Sequence, residues 1–285
     1  MRTKITIILF FMMAAHTFAQ KATPATPAEA VELIKKNINR VWNNETVDTF
    51  KAGDPDAALK GIAVCMFADM TTLRQAVKEG CNFIITHEPV FYNHADDTTA
   101  FHADPVFSEK MKFIRDNQLV VFRFHDHIHM MQPDGISVGM IKRTGLEKHA
   151  VNNSQTHFVV PETTVREFAG ELKQRLGMES IRVIGNPELS FTKVTFTAGA
   201  PGGPLHIRML SDDDTEVLIA GEAPEWETYL YANDAVAQGR NKAVIFLGHI
   251  KSEEAGMEYC SRWLQSFIEN IPVHFIENNP NFITW

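Results

Sequence analysis

The stretch Cys81-Asn82-Phe83-Ile84-Ile85-Thr86-His87-Glu88-Pro89 decides how this chain is read. Phe83 to Ile85 is a short, wholly apolar run, the mark of a buried strand. It stops on an imidazole and a carboxylate. Two more apolar runs stop the same way: 119–124 leads into His125-Asp126-His127-Ile128-His129, and 243–247 leads through Gly248 to His249 and Glu253. Open α/β sheets place their sites at strand ends. Histidine together with aspartate or glutamate is ligand chemistry for zinc, iron or manganese. Three strand ends carrying that set predict a metal centre.

Working outward, a helix over 71–79, capped by Thr71 or Thr72 and closed by Gly80, joins a strand over 61–67 to the one over 81–86. Such a βαβ unit implies parallel strands with a right-handed crossover. Helical spacing appears over 29–42 and 106–117, a polar loop over 93–105, and a further helix over 135–144. The second half has the same style, with helices over 163–176, 225–238 and 256–269 and strands over 181–184, 193–197, 217–220, 242–247 and 273–276. The predicted fold class is α/β, in two similar lobes over 28–150 and 151–285.

At 285 residues and 45% hydrophobic, the chain can build such a two-lobed unit with an ample core. The net charge of -8, a pI near 5.8 and the lack of a basic run argue against nucleic acid as a partner. Arg2 and Lys4, an apolar stretch from Ile5 to Ala15, and the small residues Thr17 and Ala19 form a secretory signal pattern over 1–19, cut after Ala19. The apolar stretch is too short for a stable membrane anchor, and no cysteine follows it to carry a lipid. The expectation is an exported protein, periplasmic or secreted. Cys65, Cys81 and Cys260 lie in apolar contexts and match no zinc-finger spacing, so they read as buried free thiols.

The candidate residues follow from these strand ends. Glu88 at the end of an apolar run needs a partner. Pro89 holds the preceding backbone extended, so His87 and Glu88 point in different directions and could serve two metals, or one metal and a water. In an extended segment His125, His127 and His129 share one face; some would bind metal and others would orient ligating carboxylates. His249 and Glu253 share a helix face if a helix begins at Ile250, although Glu253 and Glu254 also suit a helix start on dipole grounds alone. The glycine-rich segment 199–204 reads as a plain turn, because it lacks the spacing and lysine of a phosphate loop and no clear helix follows it. Glu222 is a third acid at the site rim or a helix-leading charge. No Gly-x-Ser-x-Gly elbow is present, which disfavours a serine hydrolase.

The order of these segments resembles the Nif-three-like family of dinuclear-metal-centre proteins, whose members are named as homologues of a type 2 GTP cyclohydrolase I. The family's four landmarks are T-H-H-P, H-T-N-L-D, T-G-E or T-G-D, and G-H-x-x-x-E. Here they read Thr86-His87-Glu88-Pro89, His125 to His129, Ala220-Gly221-Glu222 and Gly248-His249-Ile250-Lys251-Ser252-Glu253. The segment 199–203 falls where the family carries its own glycine turn, and no inserted domain separates the halves, as in the short form. The resemblance implies a three-layer α/β/α fold of two intertwined lobes with mixed, largely parallel sheets, assembled as a ring-shaped homo-hexamer. It also implies two divalent metal ions, or one, held by His87, Glu88, His129, His249 and Glu253. Position 88 has exchanged the family's histidine for a carboxylate, and position 129 its aspartate for an imidazole, so the donor set stays at three histidines and two acids. Bridging of two metals would then pass to Glu88, with Glu253 as the other candidate.

The expected function is an exported metal-dependent hydrolase of a small-molecule substrate, with His125 as proton shuttle and His127 as a weaker candidate for that role. GTP is not the expected substrate, since an exported protein rarely meets it and the chain shows no guanine-reading motif. The alternative is a metal-binding or scaffold protein without turnover.

Overall fold

The computed structural model describes residues 21–278 and Phe282. The leader pattern over 1–19 therefore lies outside the described residues. Among them, no helix is long and apolar enough to cross a membrane.

The chain runs through α1 (Pro27–Asn37), β1 (Phe50–Ala52), β2 (Ile62–Cys65), α2 (Met70–Lys78), β3 (Phe83–Thr86), α3 (Pro105–Asp116), β4 (Val120–Arg123), α4 (Asp126–Met130) and α5 (Gly135–Thr144). The second half adds β5 (His157–Thr164), α6 (Val165–Arg175), β6 (Arg182–Ile184), β7 (Ser190–Thr197), α7 (Gly203–Ser211) and β8 (Val217–Ala220). It ends with α8 (Leu230–Ala237), β9 (Ala243–Phe246), α9 (His249–Gln265) and β10 (Val273–Phe275). Among the described residues, two five-stranded sheets result, ordered β1-β4-β3-β2-β10 and β5-β7-β8-β9-β6. The strands β10, β2, β3 and β4 are mutually parallel, as are β7, β8 and β9; β1, β5 and β6 are antiparallel edges. The last strand of the chain returns to the first sheet beside β2, so the two lobes are intertwined. This is the α/β architecture expected.

The alternation of strand side chains makes the layers. Ile62, Val64, Phe83, Ile85 and Phe122 of the first sheet face one large core that also holds Val194, Phe196, Val217, Ile219 and Ile245 of the second. Helices α1, α5, α6 and α9 fill the space between through Ile34, Met140, Leu172, Met257 and Leu264. The opposite faces carry smaller cores: Ala63, Cys65, Ile84 and Val121 under α2 and α3, and Leu218, Val244 and Phe246 under α7 and α8. Cys65, Cys81 and Cys260 are buried free thiols.

The central contact is α5 against α9. A Cβ on Gly139 would stand 2.1 Å from the Ala255 carbonyl oxygen, and one on Gly256 would stand 2.4 Å from Ile136 Cα. The two helices touch backbone to backbone. Because α4 leads directly into α5, this contact sets His125 and His129 against His249 and Glu253.

Several local expectations change. The segment 125–129 is a helical turn, not extended, because the Asp48 carboxylate accepts the backbone N–H groups of His125, Asp126 and His127. Helix α9 begins at His249, seven residues before the predicted start, because Gly248 at φ 76° turns the chain directly from β9 into helix. Helix α1 ends at Asn37 instead of 42, since Trp42 leaves the helix to stack on His127. The cap of α2 is Asp69, not a threonine. The helix expected over 225–238 opens with a π-helical turn, Glu225–Tyr229.

Candidate metal centre

The parallel strands β3 and β4 end side by side, and β9 delivers its histidine from the other sheet. His87 is fully buried. Its Nδ1 lies 3.2 Å from the Phe124 carbonyl oxygen. A carbonyl only accepts, so Nδ1 carries the proton and Nε2 presents a lone pair. Burial first, then the neighbouring His129 and His125, holds this imidazole well below its ordinary pKa, hence neutral. That Nε2 is buried without a hydrogen bond. It faces Glu253 Oε2 at 3.6 Å and Glu88 Oε1 at 4.0 Å. A lone pair aimed at carboxylate oxygens is repulsive unless a cation lies among them.

The other three imidazoles repeat the arrangement. His125 Nδ1 is 2.9 Å from Asp126 Oδ1, His129 Nδ1 is 2.9 Å from Asp134 Oδ2, and His249 Nδ1 is 2.9 Å from Glu222 Oε2. Each turns its Nε2 inward, His125 to Glu88 Oε1 at 3.7 Å, His129 to Glu253 Oε1 at 3.7 Å, and His249 to Glu88 Oε1 at 3.1 Å and Glu253 Oε2 at 3.3 Å. Histidines that bind metal typically give their other N–H to a carboxylate or carbonyl, which fixes the tautomer and ring. Here all four do. Among the described residues, two donor groups are compact enough to hold an ion, His87 with His125 and His129, and His87 with Glu88 and Glu253.

The electrostatics follow from this crowding. Burial raises the Glu88 carboxyl, but the hydrogen bond and charge of His249, with His125 and Arg123, outweigh it and leave the pKa low. Burial lowers His249, yet Glu253 and Glu88 push it up to about 11. Burial also lowers His129, and Asp134, Glu253 and Glu88 reverse that. Burial raises Asp126, while hydrogen bonds from Thr46, His125 and Val47 hold it down at about 2. Without a cation, the proton held on His249 offsets part of the buried acidic charge.

The predicted residues His87, Glu88, His125, His129, His249 and Glu253 thus meet in one volume. Asp126 turns away to Thr46 and Val47 while orienting His125. His127 does not join. On the helical turn its ring points oppositely, stacked on Trp42 at 3.6 Å, with Nδ1 on Asp48 and Nε2 accepting the Asn43 N–H. With both nitrogens satisfied in the interior, it is no proton shuttle. The segment 199–204 backs Glu253: a Cβ on Gly199 would lie 2.4 Å from Glu253 Oε1. The Gly199 N–H donates to Ser252 Oγ, which donates to the His249 carbonyl. Contrary to expectation, a helix, α7, follows this turn.

Three supporting residues escaped the sequence reading. Asp134 carried a signal as the N-cap of α5. Arg123 carried one as a lone charge inside an apolar strand. Asp48, remote in sequence, carried none. A cleft of about 300 Å³ opens beside the centre, lined by Asn43, Glu45, Thr46, His125, His129 and Met130 among others.

Comparison with known proteins bears on the family and the fold. A protein of Clostridium acetobutylicum named GTP cyclohydrolase 1 type 2 homolog is 22% identical over 242 residues, covering 80% of this chain and 86% of its own. A hypothetical protein of Staphylococcus aureus superposes with a TM-score of 0.72 at 16% identity, over 92% of this chain and 99% of that one. A Bacillus cereus protein related to NIF3 does so with a TM-score of 0.72 at 14% identity, over 93% and 100%. At these identities the structural likeness is one of fold. The profile of the family Duf34/NIF3 (NGG1p interacting factor 3) matches residues 29–281, and the chain belongs to that family.

Proposed function

We propose that this protein is an exported hydrolase that depends on a divalent metal centre and acts on a small-molecule substrate. The observation that carries the metal reading is the buried, unpartnered Nε2 of His87 facing two carboxylates. His87, Glu88, His129, His249 and Glu253 would hold the metal, two ions in our reading. A divalent ion there would acidify water and polarise a substrate carbonyl or phosphoryl oxygen.

The chain's own residues supply the rest. Asp126, Asp134 and Glu222 fix the Nδ1 protons and ring orientations. The cleft walls of Asn43, Thr46 and Met130 would bind and orient substrate. His125 is where metal holding and proton handling meet. Its Nε2 belongs to a metal-capable triad and its ring lines the cleft. Export is supported by the leader pattern over 1–19, and a homo-hexamer by the family resemblance.

The test is a metal-replete sample assayed against ester, amide and phosphate panels. Turnover abolished by chelator and restored by metal supports the hydrolase. Stoichiometric metal without turnover on any panel overturns it in favour of a metal-binding scaffold. His125→Ala that keeps metal and loses turnover identifies the shuttle; loss of metal identifies a ligand.

A further inference from the structure

Among the described residues, the buried side-chain atoms without a hydrogen bond include His87 Nε2, Glu253 Oε2, Arg123 Nη2 and Asp96 Oδ2. All four belong to one connected group around Glu88. Arg123 is wholly buried at the end of β4. Its Nε donates to the His87 carbonyl at 3.2 Å and its Nη1 to the His94 carbonyl at 2.5 Å. Its Nη2 faces Glu88 Oε2 at 3.7 Å. The remaining charge contact is Asp96, 3.6 Å from Nη1 and also 3.4 Å from Lys51 Nζ.

The two carboxylates of the centre therefore differ. Glu88 sends Oε2 back to Arg123 and only Oε1 forward, toward His249, His125 and His87. Glu253 sends both forward, Oε1 to His129 and Oε2 to His87 and His249. A buried arginine is held where an acid answers it, because an unpaired buried charge is costly. Two acids answer it here, Asp96 at Nη1 and Glu88 at Nη2, and Glu88 stands at the position where the family pattern has a neutral histidine.

We propose that Arg123 is the positioning residue for Glu88: its Nη2 draws Oε2 back and leaves Oε1 as the oxygen that position 88 turns toward the imidazoles of the centre. This rests on the metal reading above.

The experiment compares metal-stripped wild type, Arg123→Met, Glu88→His and the double variant. It measures unfolding by denaturant and Zn²⁺ affinity by competition with a chromogenic chelator. Each single change removes one side of the Arg123–Glu88 pair, while Asp96 stays beside Arg123 and His249 beside Glu88, and should lower stability. The double should recover most of the loss, a non-additivity that a merely space-filling arginine would not produce. Zn²⁺ affinity should move the other way in Arg123→Met, rising between about two- and a hundredfold, because the full charge of Glu88 becomes available. Asp96 keeps Lys51 in that variant. If Arg123→Met does not fold, Arg123→Lys and Glu88→Gln replace it. The lysine variant should hold Zn²⁺ affinity within about threefold, and the glutamine variant should lose both stability and affinity. Additive stabilities, or weaker Zn²⁺ binding in Arg123→Met, overturn the proposal while leaving the metal centre standing. A wild type that takes up no Zn²⁺ overturns both, even where the stability cycle shows coupling.

Discussion

Gly139→Ala and Gly170→Ala are one chemical change made in two helices, and the structure gives them opposite signs. Both glycines sit inside helices, α5 and α6. Alanine is favoured over glycine there by about 0.8–1 kcal/mol. Around Gly170 a Cβ meets nothing within 4 Å, so the gain is kept. At Gly139 the new atom would lie 2.1 Å from Ala255 O, 2.5 Å from Ala255 C and 2.6 Å from Gly256 Cα. Those are backbone atoms of α9 and no side chain can swing aside. The helices must part by more than an ångström, and overpacking of this kind costs about 1–3 kcal/mol, occasionally more. With shifts of about 2–4 °C per kcal/mol for chains approaching this size, Gly170→Ala should melt a few degrees above wild type and Gly139→Ala several degrees below. The parting also carries His129 away from Glu253, so Zn²⁺ affinity should fall in Gly139→Ala and stay unchanged in Gly170→Ala. Scanning calorimetry and chelator competition give both readouts. A Gly139→Ala protein that melts at or above wild type with intact affinity would refute the claim that the α5–α9 contact assembles the site.

Asp134→Asn keeps the α5 cap but weakens the acceptor for His129 Nδ1. Losing such an outer partner should reduce metal affinity about 10–100-fold, seen by the same competition. His127→Phe keeps the ring stacked on Trp42 while removing the bonds to Asp48 and Asn43. It should lower stability by about 1–3 kcal/mol and leave metal stoichiometry unchanged. Metal binding should release protons near neutral pH. In the metal-free site His249 is raised to about 11 and is charged, and a ligating imidazole must be neutral. Affinity should therefore rise with pH, and calorimetry in buffers of differing ionisation enthalpy should count at least one proton released. For the metal-free fold the sign is opposite. A histidine raised above its unfolded pKa contributes stability that is complete below about 6.5 and is lost as pH climbs toward 11.

The strand ends were legible because buried strands are short apolar runs and their ligands are consecutive with them. His87, Glu88 and the pair His249 and Glu253 needed nothing further. The helical turn at 125–129 was not legible, since its cap, Asp48, reaches it from 77 residues away. Periodicity alone cannot tell three histidines on a strand from two on a helix and one behind it. The edge strand β5 was missed because its sequence, with Pro161 and an exposed Glu162, lacks the apolar continuity of the central strands. The start of α9 was missed because its first two turns are polar: they face the metal centre and Asn278, not a hydrophobic core.

The most direct test is elemental analysis of protein purified from its native host, for wild type, His87→Ala and Glu253→Gln, each checked for folding by circular dichroism. Divalent metal should be present near two ions per chain in wild type, and sharply reduced in both folded variants. Wild-type protein without bound divalent metal, or variants that retain the full complement, would contradict the account.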